Sequence, residues 1–384
     1  MESYLKCEEC AGNVIDKEAG ILNRGNLGRL KNFLSRAAQG ERLTVGFIGG
    51  SITQGFAATE PDQCYAARTV AWLRKVFPNT EFDYVNAGIG ATNSQFGAAR
   101  VQEDLLPRLP DLVFVEFSVN DHSTPHFCET YEGLVRQIYG SASAPAMVLI
   151  HNVYYDTGKS AAYYHAQIGR HYDLPCISMQ NSIYPAVAAG KLPAEKITAD
   201  FLHPNNLGHE FMASVITNFL EKVIHDKTQE IFPAPLTENA YEHCVRLQYF
   251  NSTPEKSGFE EDMTPQRDIT DIFRNGWSAG EKGAYLEFTF RGTGAAVQYR
   301  RVKDGPAPIA TAVVDENPET ACVLDGTFDE TWGDKMQLIT VAEHLPYGEH
   351  RVHVEITETH AEDKAEFYLV SVIVSGVREE GNTK

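Results

Sequence analysis

The sequence predicts two domains of different class: a three-layer α/β/α domain built on a parallel sheet, then an all-β jelly roll or β-sandwich. Three observations carry this. At 384 residues the chain exceeds one typical domain. From residue 43 onward, short apolar runs alternate with stretches of helical spacing, the signature of right-handed βαβ crossovers. Beyond Phe232-Pro-Ala-Pro-Leu the runs become short, alternating or β-branched, and glycine, proline and asparagine turns separate them. The expected limits are an N-terminal extension, 1–42, whose amphipathic helix packs on the domain that follows; the α/β domain, 43–228; and the sandwich, 229–384.

In the extension, residues 23–38 place Leu27, Leu30, Phe33 and Leu34 at helical spacing. The first strand is expected at 43–48, because Val45 to Ile48 is short, apolar and closed by Gly49-Gly50. A helix near 62–77 carries Ala66, Val70, Leu73 and Val76 on one face, and a second strand follows at 82–86. The loop 87–93 leads to a helix near 95–106 and a strongly apolar third strand, 111–119. Helices near 129–140 and 160–172 precede strands at 146–153 and 174–179, and a long helix from 206 to 224 closes the unit. In the second domain, strands are expected at 284–290, 295–299, 309–314, 337–341, 350–356 and 367–374.

A net charge of −19 argues against nucleic acid and anionic membranes as partners and favours a neutral substrate. No run approaches the ~18 apolar residues of a membrane span. The first ten residues carry glutamates and no apolar stretch, so a cytoplasmic location is the expectation. Seven scattered cysteines make no disulfide framework, and Cys7-x-x-Cys10 lacks the second pair that a zinc knuckle needs. His350 and His353, three apart on a strand, face opposite sides. No metal or other cofactor is called for.

Ser51 follows the first strand through two glycines, which permit strained backbone beside a ligand, and so stands at the sheet edge where open α/β folds bind. Read alone, it equally caps the next helix. Asp200 and His203 are three apart ahead of a proline that opposes helical backbone. In such a turn the carboxylate reaches Nδ1 and leaves Nε2 free to take a proton from a serine. Asn120, after the third strand, offers an amide to a developing oxyanion, and the 87–93 loop offers a backbone N–H. The adjacent Asp121 and His122 form a competing pair that ranks lower, because neighbours in sequence seldom point at one another.

The order Ser51, loop glycine, Asn120, Asp200-x-x-His203 resembles the SGNH (GDSL-type) hydrolase superfamily over residues 43–226. The usual Gly-Asp-Ser stands here as Gly49-Gly50-Ser51, as in sugar-deacetylating branches, and the position usually held by the oxyanion glycine falls on Ala91, beside Gly90. The resemblance implies a flavodoxin-like catalytic domain and a metal-free ester hydrolase. Ser51 would be the nucleophile, His203 the base and Asp200 its orienting acid, with Ser51, Gly90, Ala91 and Asn120 around the oxyanion.

Together with the appended sandwich, the chain most resembles carbohydrate esterase family 17, deacetylases of β-mannan oligosaccharides that carry a module like carbohydrate-binding family 35. The implied partner is an acetylated oligosaccharide, and a homo-oligomer is compatible with it. Trp332, in a polar acidic loop, is a candidate for stacking on sugar, with Asp121 as a further substrate contact. Trp277 is read evenly as a sugar platform or as core. Acetylxylan or xyloglucan esterases, short-chain lipid or thioester hydrolases, and a carbohydrate-binding protein without catalysis are the alternatives.

Overall fold

The computed structural model describes residues 14–223, 234–265, 272–303, 305–330 and 332–377. Cys7, Cys10 and the expected domain limit at 228/229 lie outside the described residues. The chain forms two compact units, 1–239 and 240–384.

In the first unit the chain runs β1 (Ile21–Asn23), α1 (Gly28–Ala38), β2 (Leu43–Gly49), α2 (Ser51–Gln54), α3 (Tyr65–Val76), β3 (Phe82–Gly88), α4 (Ser94–Asp104), β4 (Leu112–Glu116), α5 (Pro125–Tyr139), β5 (Ala146–His151), α6 (Ala162–His171), β6 (Cys176–Ser178), α7 (Met179–Ser182), α8 (Tyr184–Ala188) and α9 (Asn206–Glu221). The sheet order is β1-β6-β5-β4-β2-β3, parallel except for β1, which pairs antiparallel with β6 at the edge. β4 and β5 are buried throughout, as expected of strands covered by helices on both faces. β2 lies inside the sheet with Val45, Phe47 and Ile48 in the core, and Phe47 stacks on Phe114 at 4.7 Å.

The expected helix at 23–38 is shorter. Its first residue, Asn23, ends β1, and Gly25 adopts φ +60 where any Cβ would lie 2.4 Å from the Leu174 carbonyl carbon. Helix begins only after Asn26, whose Oδ1 accepts the Gly28 N–H. Leu30, Phe33 and Ala37 then join the core. The third strand also stops early, at Glu116: the Asn120 and Asp121 N–H groups both turn back to the Phe117 carbonyl.

The second unit is a β-sandwich. One sheet has the order β15-β12-β17-β10-β9, with β7 also on β17; the other is β14-β13-β16-β11-β8. These are β7 (Val245–Leu247), β8 (Glu255–Ser257), β9 (Glu260–Glu261), β10 (Trp277–Ala279), β11 (Tyr285–Gly292), β12 (Gly294–Arg301), β13 (Ile309–Val314), β14 (Cys322–Asp325), β15 (Lys335–Ala342), β16 (Gly348–Glu358) and β17 (Phe367–Ser375). All pairings between these strands are antiparallel. Leu286, Phe288, Val352 and Val354 of one sheet share a core with Val297, Leu369 and Val372 of the other. Trp277 is part of that core, fully buried and edge-on to Phe288 at 5.2 Å. It therefore has no face to offer a sugar, and of the two readings only the packing one stands.

Candidate active site

Four chain segments meet at the C-terminal edge of the first unit's sheet: those of Ser51, Gly90–Ala91, Asn120 and Asp200–His203. Ser51 opens α2 directly after β2, and Gly55 closes that single turn with φ +99. The turn sits tightly on β3: a Cβ on Gly88 would lie 2.2 Å from the Gln54 nitrogen. Asn86 Nδ2 donates to the Thr53 carbonyl from the same strand. The carbonyl of Gly49 accepts from the Ile89 N–H and from the buried Arg100 guanidinium.

Asp200 and His203 lie on a loop closed at its base by pairing of Thr198 with Pro204 and by the Asn205 N–H on the Ile197 carbonyl. Asn205 caps α9 through the Leu207 and Gly208 N–H groups, and Gly208 must be glycine because a Cβ would meet the Ile197 oxygen at 2.4 Å. The side chains form a continuous relay. Ser51 Oγ is 2.8 Å from His203 Nε2, and His203 Nδ1 is 2.6 Å from Asp200 Oδ2. Asp200 Oδ1 accepts the Leu202 and His203 N–H groups and the Thr198 hydroxyl. Partial burial alone would push this carboxyl up, but the imidazole and backbone donors outweigh it and hold it at about 2. It is an anion wherever the histidine is needed as a base.

Two further segments lie against the Ser51 turn. A Cβ on Gly50 would lie 2.3 Å from Asn120 Oδ1, so the missing side chain at position 50 lets the Asn120 amide press against the nucleophile's turn. Opposite, a Cβ on Gly90 would lie 3.7 Å from Ser51 Cβ. Ala91 follows with φ +56 and an exposed side chain, a left-handed residue whose contribution to this turn is backbone.

Asp121 does not face this pocket. Its side chain is fully buried, accepting the Ser94 N–H on Oδ1 and lying 2.9 Å from His165 Nε2 on Oδ2, so the expected substrate contact is withdrawn. Trp332, in the second unit, is 58% exposed, donates Nε1–H to Glu330 and stands edge-on to Phe328. Of the competing pair, His122 packs against Phe127, while Asp121 points to His165.

Three residues of the site escaped sequence reading. Phe56, 57% exposed, lies 4.5 Å from the His203 ring between centroids. Asn206 clamps Thr59, its Oδ1 accepting the Thr59 N–H and its Nδ2 donating to the Thr59 hydroxyl, and so joins the loop after α2 to the start of α9. His209, held neutral by burial that lowers it to about 4, accepts from the Tyr65 N–H and donates to the Phe56 carbonyl. His209 stands in the same Asp200–His209 run as the relay, six residues after His203; only the burial of α9 separates the two roles.

The sequence model of the GDSL-like lipase/acylhydrolase family matches residues 47–211. A crystal structure of a two-domain esterase active on acetylated mannans is similar over 95% of this chain and 99% of its own, with 50% identity and a TM-score of 0.92. A second, of such an esterase co-crystallised with mannopentaose, shows 51% identity over 94% of this chain and 99% of its own, with a TM-score of 0.91. Among curated proteins, no sequence matches.

Proposed function

Because the chain belongs to the GDSL-like lipase/acylhydrolase family and is a carboxylic-ester hydrolase, we propose that it removes O-acetyl groups from hemicellulose oligosaccharides, acetylated β-mannan first, through an acyl-enzyme on Ser51. The observation that carries the mechanism is the unbroken relay from Ser51 Oγ through His203 to Asp200. In this reading His203 Nε2 takes the Ser51 proton as Oγ attacks the acetyl carbonyl. The negative charge gathers on the former carbonyl oxygen, within reach of the Ser51 N–H, an N–H of the Gly90–Ala91 turn and the Asn120 amide. Collapse returns the proton from His203 to the departing sugar hydroxyl. Water, deprotonated by the same nitrogen, then attacks the acetyl-serine, and the second collapse releases acetate and restores Ser51.

Asp200, as an anion, fixes the tautomer with hydrogen on Nδ1 and stabilises the imidazolium formed twice in each cycle. No residue of the relay requires a metal, and among the described residues no cluster of His, Cys, Asp and Glu has metal-binding geometry. The substrate class is supported by the shared two-domain layout and by the 51% identical esterase, which is active on acetylated mannans. An exposed Trp332 and a net charge of −19 suit a neutral oligosaccharide.

The test is acetate release from acetylated mannan, xylan and xyloglucan oligosaccharides, with the released position read by NMR. The expected result is fastest turnover of mannan, abolished in Ser51→Ala. Faster release from xylan overturns the substrate assignment, and a Ser51→Ala enzyme at near wild-type rate overturns the relay.

A further inference from the structure

Besides the Ser51 N–H, the oxyanion donors come from two loops that share no strand pairing: 89–93, after β3, and 117–121, after β4. Something must keep them in register, since a donor displaced by a fraction of an ångström loses most of its effect on a transition state. One side chain spans them. Asp121, next to Asn120, sends Oδ1 to the backbone N–H of Ser94 at 2.9 Å, the residue that opens α4 three positions after Ala91. Its Oδ2 meets His165 Nε2 at 2.9 Å, with both side chains fully buried.

The His165 ring is itself fixed, lying flat on Tyr131 at 3.6 Å with 4° between the planes. Ser94 is held again by its hydroxyl, 2.6 Å from Thr130 Oγ1. A buried carboxylate tolerates such a place only when both oxygens are hydrogen-bonded. The mechanism makes no use of it, and both its oxygens are bound to Ser94 and His165.

We infer that Asp121, backed by His165, is a positioning residue that clips the two oxyanion loops together and thereby places the Asn120 amide and the Gly90–Ala91 N–H on the same point. This rests on the reading of Ser51 as nucleophile. The required tautomer of His165 carries hydrogen on Nε2, donated to Asp121. An asparagine at 121 retains an acceptor for the Ser94 N–H and presents an N–H to the other tautomer of His165, so it is the rescuing variant. Alanine removes both contacts. His165→Phe preserves the stacking on Tyr131 while removing the hydrogen bond.

The experiment compares wild type, Asp121→Ala, Asp121→Asn and His165→Phe on 4-nitrophenyl acetate. It also measures inhibition by phenylboronic acid, which forms a tetrahedral adduct on a serine hydroxyl and so reads the oxyanion pocket directly. Asp121→Ala is expected to lose about 10- to 100-fold in kcat, short of the full loss of a donor, with KM within about twofold. Boronate affinity should fall by a similar factor. Asp121→Asn should recover most of both, and His165→Phe should lose less than alanine. A lower Tm with kcat and boronate affinity intact, or a rise in KM alone, overturns the clip. If Asp121→Ala fails to fold, His165→Phe with unchanged kcat and boronate affinity overturns it equally. Failure of the nucleophile reading looks different: Ser51→Ala would then retain activity and wild type would not bind the boronate.

Discussion

Asp200, three residues ahead of His203, is expected to keep its charge through the working range. The carboxyl, held at about 2 by the imidazole and by the Leu202 and His203 N–H groups, is ionised throughout. The acid limb of kcat/KM should therefore show no ionisation of Asp200. An ionisation of the Asp200 carboxyl appearing above pH ~4 in that limb would place it outside the relay. Replacing Asp200 by Asn frees the imidazole to take the wrong tautomer and should lower kcat by roughly 10²–10⁴, as steady-state rates on an aryl acetate would show. This much was legible because Asp-x-x-His-Pro in a turn leaves the two side chains few places to go. Asp121 was not: its neighbours His165 and Ser94 are 44 and 27 positions away, and nothing local separates a buried clip from a sugar ligand.

Among the elements, β4 carries an ionisable carboxyl into the core of the sheet. Glu116 is fully buried, and burial raises its carboxyl to about 7 although the Ser118 hydroxyl and N–H favour the anion. The sign follows from the two pKa values. Between 4.5, the ordinary value, and about 7 the folded protein holds a proton that the unfolded chain has released, so stability falls as pH rises through that window. The loss is complete above it, on the order of 3 kcal/mol. Glu116→Gln should leave stability at pH 5 nearly unchanged and flatten the decline toward pH 8 in urea titrations. An unaltered decline would assign it to other groups.

Close contacts between elements were legible only in part. The run Gly49-Gly50-Ser51 announced a tight turn, but not that the Gly50 position belongs to Asn120. Gly50→Ala, with a Cβ 2.3 Å from Asn120 Oδ1, should displace that amide and cost about 10² in kcat with little change in Tm. Wild-type kcat in Gly50→Ala would mean that Asn120 is not a donor. Strand and helix positions in the first unit were readable from period and apolarity, whereas β1 and β7 to β10 were not. They are two or three residues long, and they exist because neighbouring strands offer unpaired edges.

At the scale of the molecule, the two tryptophans of the sandwich differ in burial. Composition could not assign them, since both stand beside glycine and polar residues. Burial does. Trp277 fills the core between the two sheets, and truncating such a side chain leaves a cavity that typically costs about 3–5 kcal/mol. Trp332 is 58% exposed with its N–H already taken by Glu330, so the indole face is free and its removal should leave folding within about 0.5 kcal/mol of wild type. If the sandwich serves the deacetylation of oligosaccharides, Trp332→Ala should raise KM for acetylated mannan oligosaccharide several-fold while turnover of a small aryl acetate is unchanged. Trp277→Ala should instead lower the melting temperature and unfold the second unit, with no selective effect on the larger substrate. Equal loss on both substrates in a folded Trp332→Ala protein would remove the sandwich's exposed indole from substrate recognition. The contribution of that unit would then have to come from a surface other than the Phe328–Trp332 pair.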